Sequence, residues 1–216
     1  MTDTYLEESG GREMKSLIFS TPMIKAILAG KKNMTRRPLK RQPESKTVKF
    51  EYGNLVEYQM IGSCWNEVAR HKPTYQPGDV LYVRETWASC ILDGKTEYLY
   101  KAHPMFDSSE PGDIDWTWRS PRFMPQSAAR IFLKVTGLRV ERLNDISEED
   151  ARREGITDGG CLNCGESEPC GCINPAPDPR QSFIRLWNGL YTKKPEYQWD
   201  KNCWVWVITF ERTEKP

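Results

Sequence analysis

The chain has 216 residues; 31 Lys and Arg against 30 Asp and Glu leave a formal net charge of +1, and 38% of residues are hydrophobic while 28% are charged. Such proportions exclude a fibrous, collagenous or wholly disordered protein, and the near-neutral balance excludes a general nucleic-acid coat, which needs a large positive surplus. No stretch approaches the roughly 18 apolar residues that span a bilayer, so the expectation is a cytoplasmic protein with no membrane partner.

Residues 1–14 are polar and are expected to form a disordered tail, with a single domain over 15–216. Leu17-Ile18-Phe19 reads as a short strand. Ser20-Thr21 then caps a helix that has Pro22 in its first turn, Ile24, Ile27 and Leu28 on one face and Gly30 at its C-terminus. A dense basic turn is expected next, carrying Lys31, Lys32, Arg36, Arg37, Lys40 and Arg41, with Pro38 blocking a return to helix. Residues 42–75 lack sustained periodicity and read as a long connection with one hairpin. Pro77-Gly78-Asp79 turns into a strand over 80–87, in which Leu81, Val83, Glu85 and Trp87 share a face.

Two more strands are expected at 98–101 and 131–140, within or after a long insertion at 91–125. Ser147 and Asp150 form a capping box for a helix that Gly155 ends. A Gly-, Cys- and Pro-rich loop at 157–179 follows. Phe183, Ile184, Leu186, Trp187 and Leu190 then form a helical stripe, and residues 204–210 a strand with almost no polar face. Strands and helices mix without a βαβ repeat, which predicts an α+β domain on a curled, mostly antiparallel sheet. The chain has eight tryptophans, of which Trp187, Trp204 and Trp206 fit core positions. Trp87 is the better pocket candidate, since it shares a face with Glu85.

Three groups of residues can carry chemistry. Gly30-x-Lys32-x-x-Thr35-x-Arg37 places a lysine and a hydroxyl three residues apart among other cations, which disfavour the charged lysine. Glu85 lies in line with apolar neighbours, so if buried it needs a partner such as Arg37 or a raised pKa. Cys161-x-x-Cys164 and Cys170-x-Cys172 can hold a structural zinc ion with four thiolates, and no organic cofactor is implied.

The ordered set of GxKxxTxR, the Pro-Gly-Asp turn into a strand, Arg84-Glu85-Thr86-Trp87, the Ile146-Ser147-Glu148-Glu149-Asp150-Ala151 helix start and the Trp204-Val205-Trp206-Val207-Ile208 strand resembles the ASCH family of the PUA-like superfamily. It is most similar to the larger ASCH proteins encoded in phages and prophages. The resemblance implies a small β-barrel with flanking short helices and long loop insertions, enclosing a pocket for a modified nucleoside, nucleotide or RNA.

It further implies an amidohydrolase acting on N4-acetylcytidine-type substrates. Lys32 would be general base or nucleophile, Thr35 hydroxyl nucleophile or oxyanion donor, and Glu154, in Ala151-x-x-Glu154, proton shuttle. Arg37, Glu85 and Trp87 would contact the base, with Glu85 competing with Glu154 as the working carboxylate. A non-catalytic reader of RNA, more than of DNA, would use the same pocket with a basic track of Lys31, Arg36, Lys40 and Arg41. A metal-dependent ribonuclease and a phage accessory protein that binds a host protein are the remaining alternatives.

Overall fold

The computed structural model describes residues 14–45, 47–106, 117–156 and 178–216. Residues 1–13 of the expected N-terminal tail and all four cysteines of the expected zinc loop lie outside these residues. Within them the chain is mostly β, with three α-helices, and its main sheet has five strands in the order β1-β6-β9-β10-β2. These are β1 (Ser16–Ile18), β2 (Met34–Pro38), β6 (Val80–Arg84), β9 (Phe132–Arg142) and β10 (Trp204–Thr213). All pairings in this sheet are antiparallel except β1 with β6.

β10 lies between β9 and β2 and is covered on both faces, which is why it lacks a polar side. Trp206, Ile208 and Phe210 join the larger core with Leu17, Phe19, Leu81, Val83 and Leu133, beneath helix α1 (Thr21–Leu28). Val205 and Val207 point the other way, toward Met34, Ala151, Phe183 and Trp187. Those residues come from β2 and from helices α2 (Glu148–Arg153) and α3 (Pro179–Leu190). A strand buried on both faces reads as a continuous apolar run.

Three expectations are corrected. The basic stretch after Gly30 is a strand rather than a turn: β2 pairs with β10 from Met34↔Thr209 to Pro38↔Val205. Pro38 is tolerated there because it ends a strand at the sheet edge. Residues 42–75 hold a three-stranded antiparallel sheet, β3 (Thr47–Glu51), β4 (Asn54–Ile61) and β5 (Cys64–His71), rather than one hairpin. The strand expected at 80–87 stops at Arg84, and Trp87 opens β7 (Trp87–Leu92), which pairs with β8 (Lys95–Tyr100) in a separate two-stranded sheet.

The main sheet is also not closed into a barrel. β1 and β2 are its two outer strands, and among the described residues no ladder joins them. Side chains bridge the seam instead: Arg37 of β2 donates to the Ile18 carbonyl at 2.9 Å, and the Tyr75 hydroxyl donates to the Ser16 carbonyl at 2.8 Å. This seam opens as a cleft.

Among the described residues no helix is long and apolar enough to cross a membrane.

Candidate functional site

Helix α1 ends at Gly30, whose N–H bonds to the Ile27 carbonyl with φ at +71°. The chain can then turn back so that the Lys31 and Lys32 amides both reach the Ala26 carbonyl, at 2.9 and 3.1 Å. Lys32 is therefore held before β2 begins, and its main chain forms an isolated antiparallel bridge with Glu154. The partner is equally fixed: Glu154 caps the C-terminus of α2, where its N–H reaches Asp150 and Ala151 carbonyls.

Gly155 allows the two segments to meet. Its φ is +93°, and a Cβ added there would lie 3.0 Å from the Ala26 Cβ and 3.1 Å from the Lys32 Cβ. Both the conformation and the close approach require glycine.

Lys32 is buried, and its Nζ donates to the Met34 carbonyl at 2.8 Å, to the Glu154 carbonyl at 2.7 Å and to Glu154 Oε2 at 2.7 Å. These three acceptors satisfy an ammonium completely. Burial lowers its pKa; Glu154 opposes the shift, while Arg37 and Arg36 add to it.

The other oxygen of Glu154 faces Arg36 NH1 at 3.3 Å. Arg36 lies on the α-helical side of β2, buried, and donates also to Glu141 Oε1 through Nε at 2.9 Å and to Asp150 Oδ2 through NH2 at 2.7 Å. Arg139 donates to the same two carboxylates. The result is a buried network that orients Glu154 from behind, as paired charges must be when removed from water.

Thr35 and Arg37 project to the opposite side of β2 from Arg36, as strand alternation requires. Thr35 is buried, and its hydroxyl makes no hydrogen bond among the described residues. It lines a small chamber with Glu154, Arg36 and the ring-bearing residues Phe183 and Trp187 of α3. The chamber measures about 10 Å³, enough for a single water molecule. Lys32 does not line it: the lysine stands behind Glu154.

Met23, Arg37 and Leu190 line both this chamber and the seam cleft, whose volume is about 780 Å³. The cleft presents Phe19, Tyr75 and Tyr191 together with Thr86 and Pro121. Arg37 stacks over the Phe19 ring at 5.4 Å. Its guanidinium also lies beside Tyr191, opposing the upward pKa shift that burial imposes on that phenol.

The remaining candidates lie apart. Glu85 is buried, but its partner is Arg130 rather than Arg37, in a two-pronged pair at 2.9 and 3.0 Å. Trp87 packs with Met124 and Ala128 in a separate small core, so neither residue borders the cleft. Of the four residues read as a basic track, Lys31, Lys40 and Arg41 are exposed, whereas Arg36 is buried in the ion network. Cys161, Cys164, Cys170 and Cys172 are outside the described residues, among which no cluster of metal-ligating side chains occurs. Sequence reasoning missed Glu141, Asp150 and Tyr191; Asp150 was legible only as part of the helix cap.

No family model and no curated protein matches the chain. Among solved structures, the crystal structure of protein EF3133 from Enterococcus faecalis V583, assigned to DUF984, is similar at 10% identity with a TM-score of 0.41. The match covers 94% of this chain and 82% of that one. At that score the likeness bears on neither site nor activity, which rest on the side chains described above.

Proposed function

We propose that the chain binds a modified nucleoside in the seam cleft and hydrolyses the N4-acyl amide of an N4-acetylcytidine-type substrate. The observation that carries this reading is the convergence of Thr35 and Glu154 on one chamber at the inner end of the cleft, with Lys32 directly behind the carboxylate. These are the three positions that the ASCH resemblance implies.

Amide hydrolysis needs a nucleophile that loses a proton as it attacks and an acid that protonates the departing nitrogen. In this reading the Thr35 hydroxyl adds to the acyl carbon and Glu154 takes its proton. Glu154 returns that proton to N4 as the C–N bond breaks, and water then cleaves the Thr35 ester. Lys32 and Arg36 hold the carboxylate in place, one on each oxygen. Lys32 thus acts as a positioning residue rather than as base or nucleophile. The aromatic walls and Arg37 suit a planar base with polar edges. The chamber is too small for an acyl group at rest, so Met23 and Leu190, at its mouth, must swing aside on binding.

Incubating the protein with a panel of N4-acylated cytidines and following the products by chromatography tests this. Release of cytidine and the free acid by the parent, abolished by Thr35→Val, is expected; no release from any member overturns it. The exposed cations Lys31, Lys40 and Arg41 favour a second reading, a non-catalytic RNA reader. Salt-sensitive RNA binding without amide cleavage would select it.

A further inference from the structure

A second cleft, of about 400 Å³, lies between the segment leaving β2 and the segment leaving β5. The first wall carries Arg37, Lys40 and Arg41; the second carries His71, Lys72 and Tyr75. Among the described residues no acidic side chain lines it. Lys40 and Lys72 are exposed and have no carboxylate partner among the described residues. The other groups are partly engaged. Arg41 has one weak, exposed contact with Glu44 at 3.5 Å, Arg37 spends one nitrogen on the Ile18 carbonyl, and His71 Nε2 meets Glu57 Oε1 at 2.5 Å.

Two opposed walls, each carrying a lysine without a carboxylate partner among the described residues, form a receptor for a multiply charged anion. Arg37 and Tyr75 line both this cleft and the seam cleft, so the two volumes adjoin across that pair. Given the proposed nucleoside reading of the seam cleft, on which this inference rests, the anion must belong to the same ligand. In a nucleoside derivative, the anionic group carried just outside the base and sugar is the phosphate.

We propose that the cleft between β2 and β5 is a phosphate subsite, held chiefly by Lys40 and Lys72, that selects a phosphorylated ligand over a free nucleoside. A mononucleotide and a nucleotide within a single strand of RNA present the same chemistry. The second wall is the segment that follows β5, and only His71 of it lies within the three-stranded sheet at 47–71.

Calorimetric titration of the intact protein with cytidine, cytidine monophosphates and a short single-stranded cytidine-containing RNA tests the proposal, because none of these requires turnover. Phosphorylated ligands should bind about ten- to a hundredfold tighter than cytidine, the worth of one or two charge-assisted hydrogen bonds. Lys40→Gln combined with Lys72→Gln should erase that preference while leaving cytidine affinity unchanged, since both side chains are exposed and outside the seam cleft. A salt dependence steeper for RNA than for the mononucleotide identifies the strand as ligand, and equal dependence identifies the mononucleotide. Equal affinity for cytidine and its monophosphates, or a preference that survives the double substitution, would overturn the subsite. Failure of amide hydrolysis alongside a phosphate preference removes the catalytic reading and leaves the subsite standing.

Discussion

Lys32 and Glu154, 122 residues apart in the chain, meet both through a main-chain bridge and through an Nζ to Oε2 contact of 2.7 Å. The backbone contact fixes where the two side chains start, and the ion pair fixes where they end. Glu154 is thereby held, buried, at the wall of the chamber that Thr35 also lines.

Thr35 is the position where chemistry and stability separate most cleanly. Thr35→Val removes a hydroxyl that has no hydrogen-bond partner among the described residues and should change unfolding free energy by no more than about 1 kcal/mol. Hydrolysis should fall by about a thousandfold or more if Thr35 is the nucleophile. Urea denaturation and steady-state rates on the same preparation check both halves, and an active Val variant would sink the assignment.

Lys32 is expected to appear in the pH–rate profile. Because burial lowers its pKa from 10.5, kcat/KM should decline on an alkaline limb centred below that value as the ammonium loses its proton. Lys32→Arg keeps a charge that does not titrate there and should abolish the limb even if the rate falls. Stability carries the opposite slope. Below the folded pKa both states hold the proton and the fold bears the full cost of burying the charge. Between that pKa and 10.5 the unfolded chain binds more protons, so this group's contribution rises with pH. Lys32→Ala is therefore no harmless truncation, as it would be for an exposed loop lysine; it strips the buried Glu154 of its closest cation, leaving only the 3.3 Å contact with Arg36, and should cost about 3 kcal/mol.

Gly155→Ala should destabilise the fold by about 1–3 kcal/mol, because a side chain at φ +93° is strained and its methyl meets Ala26 and Lys32. Hydrolysis should fall further than stability explains, since the Lys32–Glu154 bridge must spread. A variant with unchanged melting temperature and rate would show that the close approach is dispensable.

Glu85→Gln addresses the carboxylate that lies elsewhere. Weakening its two-pronged contact with partly exposed Arg130 should cost about 2 kcal/mol. Amide hydrolysis should stay within about twofold of the parent, because Glu85 borders neither chamber nor cleft. Loss of turnover in a well-folded variant would return Glu85 to the site.

The legible features in this sequence were those written locally. The start of α1 after Ser20, Gly30, the Ser147 capping contact with Asp150 and the double-faced apolar run of β10 each appear within a dozen residues, and each occurs in the structure, although the Ser20 side chain makes no capping hydrogen bond. The spacing of Lys32, Thr35 and Arg37 was legible too, but not their directions, because a strand sends alternate residues to opposite faces and a turn does not. Only one hairpin was expected where β3 to β5 lie, because β3, β5 and the second half of β4 bury no side chain, which erases the apolar alternation that marks a half-buried strand. Their hairpin turn at Tyr52-Gly53, both with positive φ, was the better signal. The pairing of Arg36 with Glu141 and of Glu85 with Arg130 spans 105 and 45 residues, and no local pattern encodes such partners.

The position of β10 has a consequence for synthesis. Every other strand of the main sheet precedes it in the sequence, yet β2 and β9 pair only through it. On a ribosome β2 and β9 emerge with the strand that lies between them still missing. The nascent chain must carry β2, with its threonine and its cations, unpaired for the time needed to translate some 170 further residues, at about 5–20 residues per second. Completion of the site is thus tied to the last segment of the sheet to leave the tunnel, and long-range pairing of this kind makes for slow folding.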